Sequence, residues 1–256
     1  MRPLRAKHPM DTKAAVVAAF SAAADTYEDG AELQRDVAAR LARRIAVLSL
    51  PERPRILEIG CGTGFLSRAL LAMIPSELML TDVSEAMLNR CRETLGPIAT
   101  ARYLAMDGER PTLAPGFDLI CSSLAFQWFD DLPAALPRLA TLLNPGGHLA
   151  FSTLGSGSFE SWKQAFADLN MPSGMRAYPS RAALAALLSP QLEVDEQHLT
   201  RRYANGHAFL DELKLIGAHA PEDNHRPAPG PLRRVLRGFE GGIDVTYHAL
   251  YGIWRA

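Results

Sequence analysis

The residues best placed to do chemistry stand at one turn: Glu58-Ile59-Gly60-Cys61-Gly62-Thr63-Gly64-Phe65. The apolar run at 55–59 reads as a short buried strand leading straight into these glycines, and helical spacing resumes over 65–73. Glycines there let the backbone turn tightly and approach a ligand with no Cβ in the way, which implies a nucleotide-like ligand. The dinucleotide fingerprint Gly-x-Gly-x-x-Gly would need its third glycine where Phe65 stands. Glu58 would also repel a pyrophosphate held on helix N-terminal amides, and it suits a ligand bearing an ammonium group instead. Asp82 follows Gly62 by about 20 residues, the spacing of an acid that accepts ribose hydroxyls. Alone, that acid fits either cofactor, or a plain cap beside Ser84.

The pattern acid-x-Gly-x-Gly-x-Gly resembles the first motif of class I S-adenosylmethionine-dependent methyltransferases, whose ligand carries an amino-acid end and a sulfonium in place of phosphates. Asp107, in Met106-Asp107-Gly108, matches the acidic position that in this family receives the adenine amino group. The resemblance implies cofactor contacts at Glu58, Gly60, Cys61, Gly62, Asp82 and Val83. It implies others at Met87, Asp107, Gly108 and Ser123, with Tyr27 and Gln34 added from the N-terminal helical region.

Four further segments resemble the malonyl-carrier-protein O-methyltransferases of biotin synthesis. They are Phe20-x-x-Ala-Ala24 with Tyr27 and Ala31-Glu-Leu-Gln34; Ser123-Leu-Ala-Phe-Gln127-Trp128-Phe129; Leu213-Lys214-x-Ile-Gly217-Ala218; and Thr246-Tyr247-His248 with Tyr251-Gly252. The activity implied is conversion of the free carboxylate of a malonyl thioester, on carrier protein or coenzyme A, into its methyl ester. A carboxylic acid with an ordinary pKa of about 4 is already ionised at neutral pH, so no general base is required. Positioning and desolvation should dominate, with no triad, metal or covalent nucleophile. Candidate substrate contacts are Gln127, Trp128, Lys214, Tyr247 and His248. Strand alternation makes Tyr247 and His248 face opposite sides, so they should not both touch substrate. An acidic carrier protein would need a basic dock, and Arg226, Arg233, Arg234 and Arg237 form an acid-free run. Other small acids, a quinone carbon, or a non-catalytic S-adenosylmethionine-binding module stay open as alternatives. A DNA amino-methyltransferase would need a polar-Pro-Pro-aromatic motif where Ser122-Ser123-Leu124-Ala125 stands.

The elements that must position these residues alternate. After an opening helix at 12–20, Leu33, Val37, Leu41, Ile45 and Leu48 mark an amphipathic helix that ends before Pro51. Strands follow at 55–59, 78–81, 101–105, 117–122 and 148–153, with helices at 65–73, 85–95 and 133–143 between them. The turn Asn144-Pro145-Gly146-Gly147 precedes the fifth strand. Such alternation implies an α/β, Rossmann-like class I methyltransferase fold: a seven-stranded, mostly parallel sheet with helices on both faces. Residues 155–169, 180–188, 192–203 and 206–216 read as a small, largely helical cap inserted before the last strands. Residues 219–231 read as a loop, 232–239 as a basic helix and 243–254 as a closing strand. The whole, 1–256, is one methyltransferase domain: a helical lid at 1–50, a cofactor core at 51–154, and cap and closing strands at 155–256.

The 27 basic and 28 acidic residues leave a net charge of −1, which gives no global pull toward nucleic acid or an anionic membrane. Cys61, Cys91 and Cys121 are odd in number and unlike paired or zinc spacings, which points to a reducing cytoplasm. The start carries Arg2, Arg5 and Lys7 but no apolar signal core, so export is not expected. The sequence leaves the oligomeric state open and is compatible with a monomer.

Overall fold

The computed structural model describes residues 9–188, 192–218 and 229–256. Three helices come first: α1 (Pro9–Ala23), α2 (Tyr27–Gly30) and α3 (Glu32–Ile45). Then β1 (Arg55–Ile59), α4 (Phe65–Leu71), β2 (Glu77–Asp82), α5 (Glu85–Leu95), β3 (Ala101–Ala105) and β4 (Phe117–Ser123) alternate. A short 3-10 turn (Phe126–Trp128), α6 (Leu132–Ala140), β5 (Leu143–Leu154), α7 (Glu160–Ala167), α8 (Arg181–Ala185) and β6 (Glu193–Tyr203) follow, and α9 (Gly206–Leu215), α10 (Pro229–Gly238) and β7 (Ile243–Arg255) complete the fold.

The seven strands form one sheet in the order β3-β2-β1-β4-β5-β7-β6. Strands β1 to β5 are parallel, and β7 runs antiparallel to both neighbours. The carboxyl ends of the parallel strands therefore share one edge, and the order switches direction between β1 and β4, where α/β ligands gather. Leu154 at the end of β5 pairs with Ala249, so the residues of β7 just before Ala249 also stand at that edge.

Both sheet faces are covered. Leu33, Val37, Leu41 and Ile45, four residues apart on α3, are all buried against one face. Phe126, Leu136, Leu139 and Phe151 fill the other. Each fully buried side chain of this size contributes about 1.5–3 kcal/mol of burial. Ser84 caps α5 by accepting the Met87 N–H at 3.2 Å, and Asp131 caps α6 through Ala134 N–H at 3.0 Å.

Two expectations need correction. The strand expected at 148–153 begins at Leu143, because Phe117 pairs with Leu143 before the register shifts and Leu119 pairs with His148. The Asn144–Gly147 stretch is thus an irregularity within a paired strand. The cap is not a single insertion. Residues 193–203 pair along their whole length with β7 as an edge strand of the main sheet, so the helices divide into α7–α8 before β6 and α9–α10 after it. No helix among the described residues is long and apolar enough to cross a membrane.

Helix α9 ends on Gly217, whose N–H donates to Lys214 O while Ala218 N–H reaches Leu213 O, a Schellman closure. Gly217 has φ +70°, and a Cβ on it would lie 2.9 Å from Ala19 O and 3.0 Å from Phe20 Cα in α1. Substituting Gly217→Ala should cost about 1–3 kcal/mol, from the left-handed backbone and the backbone clash together. Amide exchange should then accelerate in α1 ahead of the sheet; equal protection in variant and parent would contradict this docking role.

Candidate active site

The loop after β1 is built from left-handed glycines, with φ of +68° at Gly60 and +53° at Gly62. A Cβ at Gly60 would stand 2.4 Å from that of Ala125, whereas the space over Gly62 is open. The first glycine lets two strand ends approach each other, and the second leaves bare backbone facing the cleft.

Asp82, at the end of β2, holds this loop in place. Its Oδ2 accepts the Gly62 N–H at 2.9 Å and its Oδ1 accepts the Ser84 N–H at 2.8 Å. Burial pushes its carboxyl above the ordinary range, and the N–H groups of Ser84, Gly62 and Val83 pull it back. Each carboxylate oxygen keeps a lone pair for a further donor.

A cleft opens at this edge. Tyr27, Gly60, Gly62, Asp82, Val83 and Met87 line it, and Asp107, Gly108 and Ser123 continue the wall toward β3 and β4. Val83 is 41% exposed, an apolar surface beside two acids. Asp107 is already engaged: Lys13 Nζ on α1 donates to both its oxygens at 2.6 Å and also pairs with Glu109. Burial would lower the lysine pKa, but the hydrogen bonds to Asp107 and Glu109 outweigh it and the net direction is up.

A second cleft of about 560 Å³ adjoins the first, with Phe20, Tyr27, Leu124 and Trp128 bordering both. Gln127, Tyr178 and Tyr247 line it, together with Gln34. Gln34 therefore stands in this cleft and not in the first, and its Oε1 is buried with no partner. Leu124 has φ +51°, a strained conformation for a branched side chain. Its N–H donates to Ser152 Oγ at 3.2 Å, and its carbonyl accepts the Gln127 Nε2–H at 2.7 Å. Gln127 thus spends its amide on holding that turn, with Oε1 toward Thr153 Oγ1 at 3.4 Å.

Several expected contacts lie elsewhere. Glu58 is 1% exposed and absent from the cleft; it accepts the Ser67 Oγ–H at 2.7 Å beneath the loop, because β1 alternation turns it inward. Glu58 is therefore not placed to meet an ammonium group in the cleft. Cys61 packs its thiol against Cys91, and that contact and burial push it up. Lys214 sits on the outer face of α9, 63% exposed and paired with Asp211 at 2.9 Å. His248 does face away from Tyr247: its Nδ1 accepts the Gly157 N–H at 3.2 Å, its Nε2 meets Glu196 at 3.0 Å, and its ring stacks on His198 at 4.4 Å. Tyr247 O–H is 2.8 Å from Tyr203 O, while Tyr203 donates to Glu212 at 2.6 Å. An ionised Glu212 only accepts, so Tyr247 gives its proton to Tyr203. Arg233, Arg234 and Arg237 are exposed on α10, and Arg226 lies outside the described residues. Lys13 carried no motif signal in the sequence, and its place beside Asp107 emerges only from the folded arrangement; Leu124 stands in a matching segment, but its left-handed backbone was not legible there.

The cleft fits an adenosine. Two strand-end carboxylates, an apolar shelf at Val83 and open glycine backbone suit ribose hydroxyls, an adenine ring and its amino group. Burial raises the Glu58 carboxyl to about 8, against the opposing pull of the Ser67 hydrogen bond and with Asp82 adding to the rise. A carboxyl raised above its unfolded value binds its proton more tightly in the native state. Stability is therefore lost as pH climbs from about 4.5 toward about 8. Glu58→Gln should flatten that decline in denaturant midpoints measured from pH 5 to 8; parallel profiles for variant and parent would contradict it.

Residues 33–191 match the family described as a methyltransferase domain. The chain is 50% identical over 240 residues to the biotin biosynthesis bifunctional protein BioCD of Bordetella avium (strain 197N), an alignment covering 92% of this chain and 51% of that protein. It therefore spans about half the length of that relative. It is 44% identical over 236 residues to a malonyl-(acyl-carrier protein) O-methyltransferase of Magnetococcus marinus, covering 89% of this chain and 87% of the relative. Among solved structures, phosphoethanolamine N-methyltransferase 2 of Haemonchus contortus in complex with S-adenosyl-L-methionine superposes with a TM-score of 0.58 at 16% identity, covering 91% of this chain and 57% of that one. That likeness bears on the fold, a class I methyltransferase sheet. On the sequence relationships, the chain belongs to the malonyl-(acyl-carrier protein) O-methyltransferase family.

Proposed function

We propose that the protein transfers a methyl group from S-adenosylmethionine to the free carboxylate of a malonyl thioester, forming the methyl ester that feeds biotin-precursor synthesis. The observation that carries this reading is the meeting of two clefts at Tyr27 and Trp128. One is walled by strand-end acids and suits a nucleoside; the other is largely apolar and suits an acyl thioester. When bound, S-adenosylmethionine supplies an electrophilic methyl group on a sulfonium. A carboxylate oxygen forms the new C–O bond as the C–S bond breaks, with its electron pair left on sulfur. An anion and a cation become two neutral products, and no proton moves.

The chain's own work is then to bind, align and dry the reactants. Asp82 would accept the ribose hydroxyls, and Asp107, beside the Lys13 ammonium, would receive the adenine amino group. The described helices of the N-terminal region act as the lid: Lys13, Phe20 and Tyr27 reach over the strand ends from α1 and α2. Phe20 meets Trp128 edge-on, with centroids 5.2 Å apart, which shields the junction from water. The ester's neutrality explains the purpose of the step. An ionised malonyl end is costly to carry into apolar elongation pockets, and its ester is not. The free, buried cysteines fit a reducing cytoplasm. The exposed arginines of α10 offer a dock for an acidic carrier protein.

Labelled methyl transfer from S-adenosylmethionine should reach malonyl thioesters in preference to succinyl and glutaryl ones. Absence of label on malonyl, with the donor bound, would reject the activity. Asp82→Asn should weaken donor binding by about 1.5–3 kcal/mol, the worth of hydrogen bonds to a charged acceptor; unchanged affinity by calorimetry would reject its ribose role. Reversing Arg233 and Arg234 to Glu should raise the KM for malonyl-carrier protein and leave that for malonyl-coenzyme A unaltered. Equal losses on both would remove α10 as the dock.

A further inference from the structure

Malonyl differs from acetyl by one carboxylate, and removing that anion from water without a counter-charge is costly. A site that takes it needs a cation or donor with hydrogens to spare. Lys13 has none free toward substrate, since Asp107 and Glu109 hold it. Lys214 is at the surface with Asp211. Gln127 gives one of its two amide hydrogens to Leu124 O, and Tyr247 gives its proton to Tyr203. Of these cations, Lys13 is spent and Lys214 is absent from the clefts.

Arg176 differs from both cations. It lies in the irregular segment between α7 and α8, flanked by Met175 and Tyr178, which both line the second cleft. Its guanidinium carbon stands 5.3 Å from the ring centroid of Trp128, where the two clefts meet. Its Nη1 is buried and has no hydrogen-bond partner. No ion pair among the described residues includes it. Asp130 is close enough to feel its charge but does not pair with it. A guanidinium laid over an indole keeps its plane fixed and presents its N–H edge, the geometry that receives a carboxylate. Arg176 is not itself a wall of either cleft, but the Trp128 ring it lies over borders both; its buried, unmet N–H is an incomplete hydrogen bond, which an anion reaching that ring would complete.

We propose that Arg176 receives the free carboxylate of the substrate through Nη1, holding one oxygen and leaving the other to face the methyl donor. This rests on the malonyl-thioester reading above. The contact is an ion pair with the substrate carboxylate and a charge–dipole hydrogen bond with the ester product, so it favours the anion on entry and weakens when the methyl has been transferred.

The test compares KM for malonyl thioester, the inhibition constant of acetyl thioester and the Kd of S-adenosylhomocysteine in the parent, Arg176→Ala and Arg176→Lys. In Arg176→Ala the malonyl KM should rise about 10- to 100-fold, as befits a lost charge-assisted hydrogen bond, with acetyl inhibition and S-adenosylhomocysteine binding unchanged. Arg176→Lys should recover part of the loss. An unchanged malonyl KM, or equal weakening of malonyl and acetyl, overturns the clamp while leaving the methyltransferase reading intact. If the alanine variant fails to bind S-adenosylhomocysteine, the lysine variant decides: selective malonyl loss supports the clamp, and none overturns it. A parent enzyme that methylates no malonyl thioester defeats the functional reading first, and the clamp with it.

Discussion

A carboxylate withdrawn from water at the end of β2 fixes the arrangement on which the site depends. Asp82 cannot be buried without donors, and it finds them in the N–H groups of Gly62 and Ser84. The first bond pins the glycine loop after β1, and the second pins the start of α5, whose cap is Ser84 itself. One residue therefore sets the distance between two strand ends and the slope of the cleft they enclose. Parallel pairing of Ile59 with Thr81 brings the carboxylate to that loop, and the left-handed glycines let the loop accept it.

Charge is handled in layers around this point. Glu58 is turned inward beneath the loop, and burial holds its carboxyl toward the neutral form. Lys13 on α1 neutralises the acidic pair Asp107 and Glu109, which ties α1 to that end of the cleft. Across Trp128 the environment becomes apolar, and Arg176, whose guanidinium lies over that ring, keeps a buried donor with no partner.

Much of this was legible in the chain. The glycine loop, Asp82 and the Ser84 cap obey local rules in which turn chemistry and strand alternation dictate position. The alternation rule also separated Tyr247 from His248 correctly. The failures share a cause: motif resemblance assigns a residue to a site without its direction. Lys214 belongs to a matching segment, yet the residue there that shapes the lid is Gly217, which admits the α1 backbone. Glu58 heads the motif but faces the opposite way from the ligand. Arg176 lies in a stretch with no periodicity, and its proximity to Trp128 arises from the path of the chain between α7 and α8, which no local pattern encodes. The strand at 192–203 is legible in the sequence, but its pairing with β7 at the sheet edge is a long-range contact that no local pattern encodes, and its alternating polar residues suit a sheet margin facing water.

The most direct check on the account is a calorimetric titration of the purified protein with S-adenosylhomocysteine and, separately, with NAD. A loop held open by Asp82 for a phosphate-free nucleoside predicts saturable binding of the first and no heat from the second. Tight binding of NAD together with indifference to S-adenosylhomocysteine would contradict it.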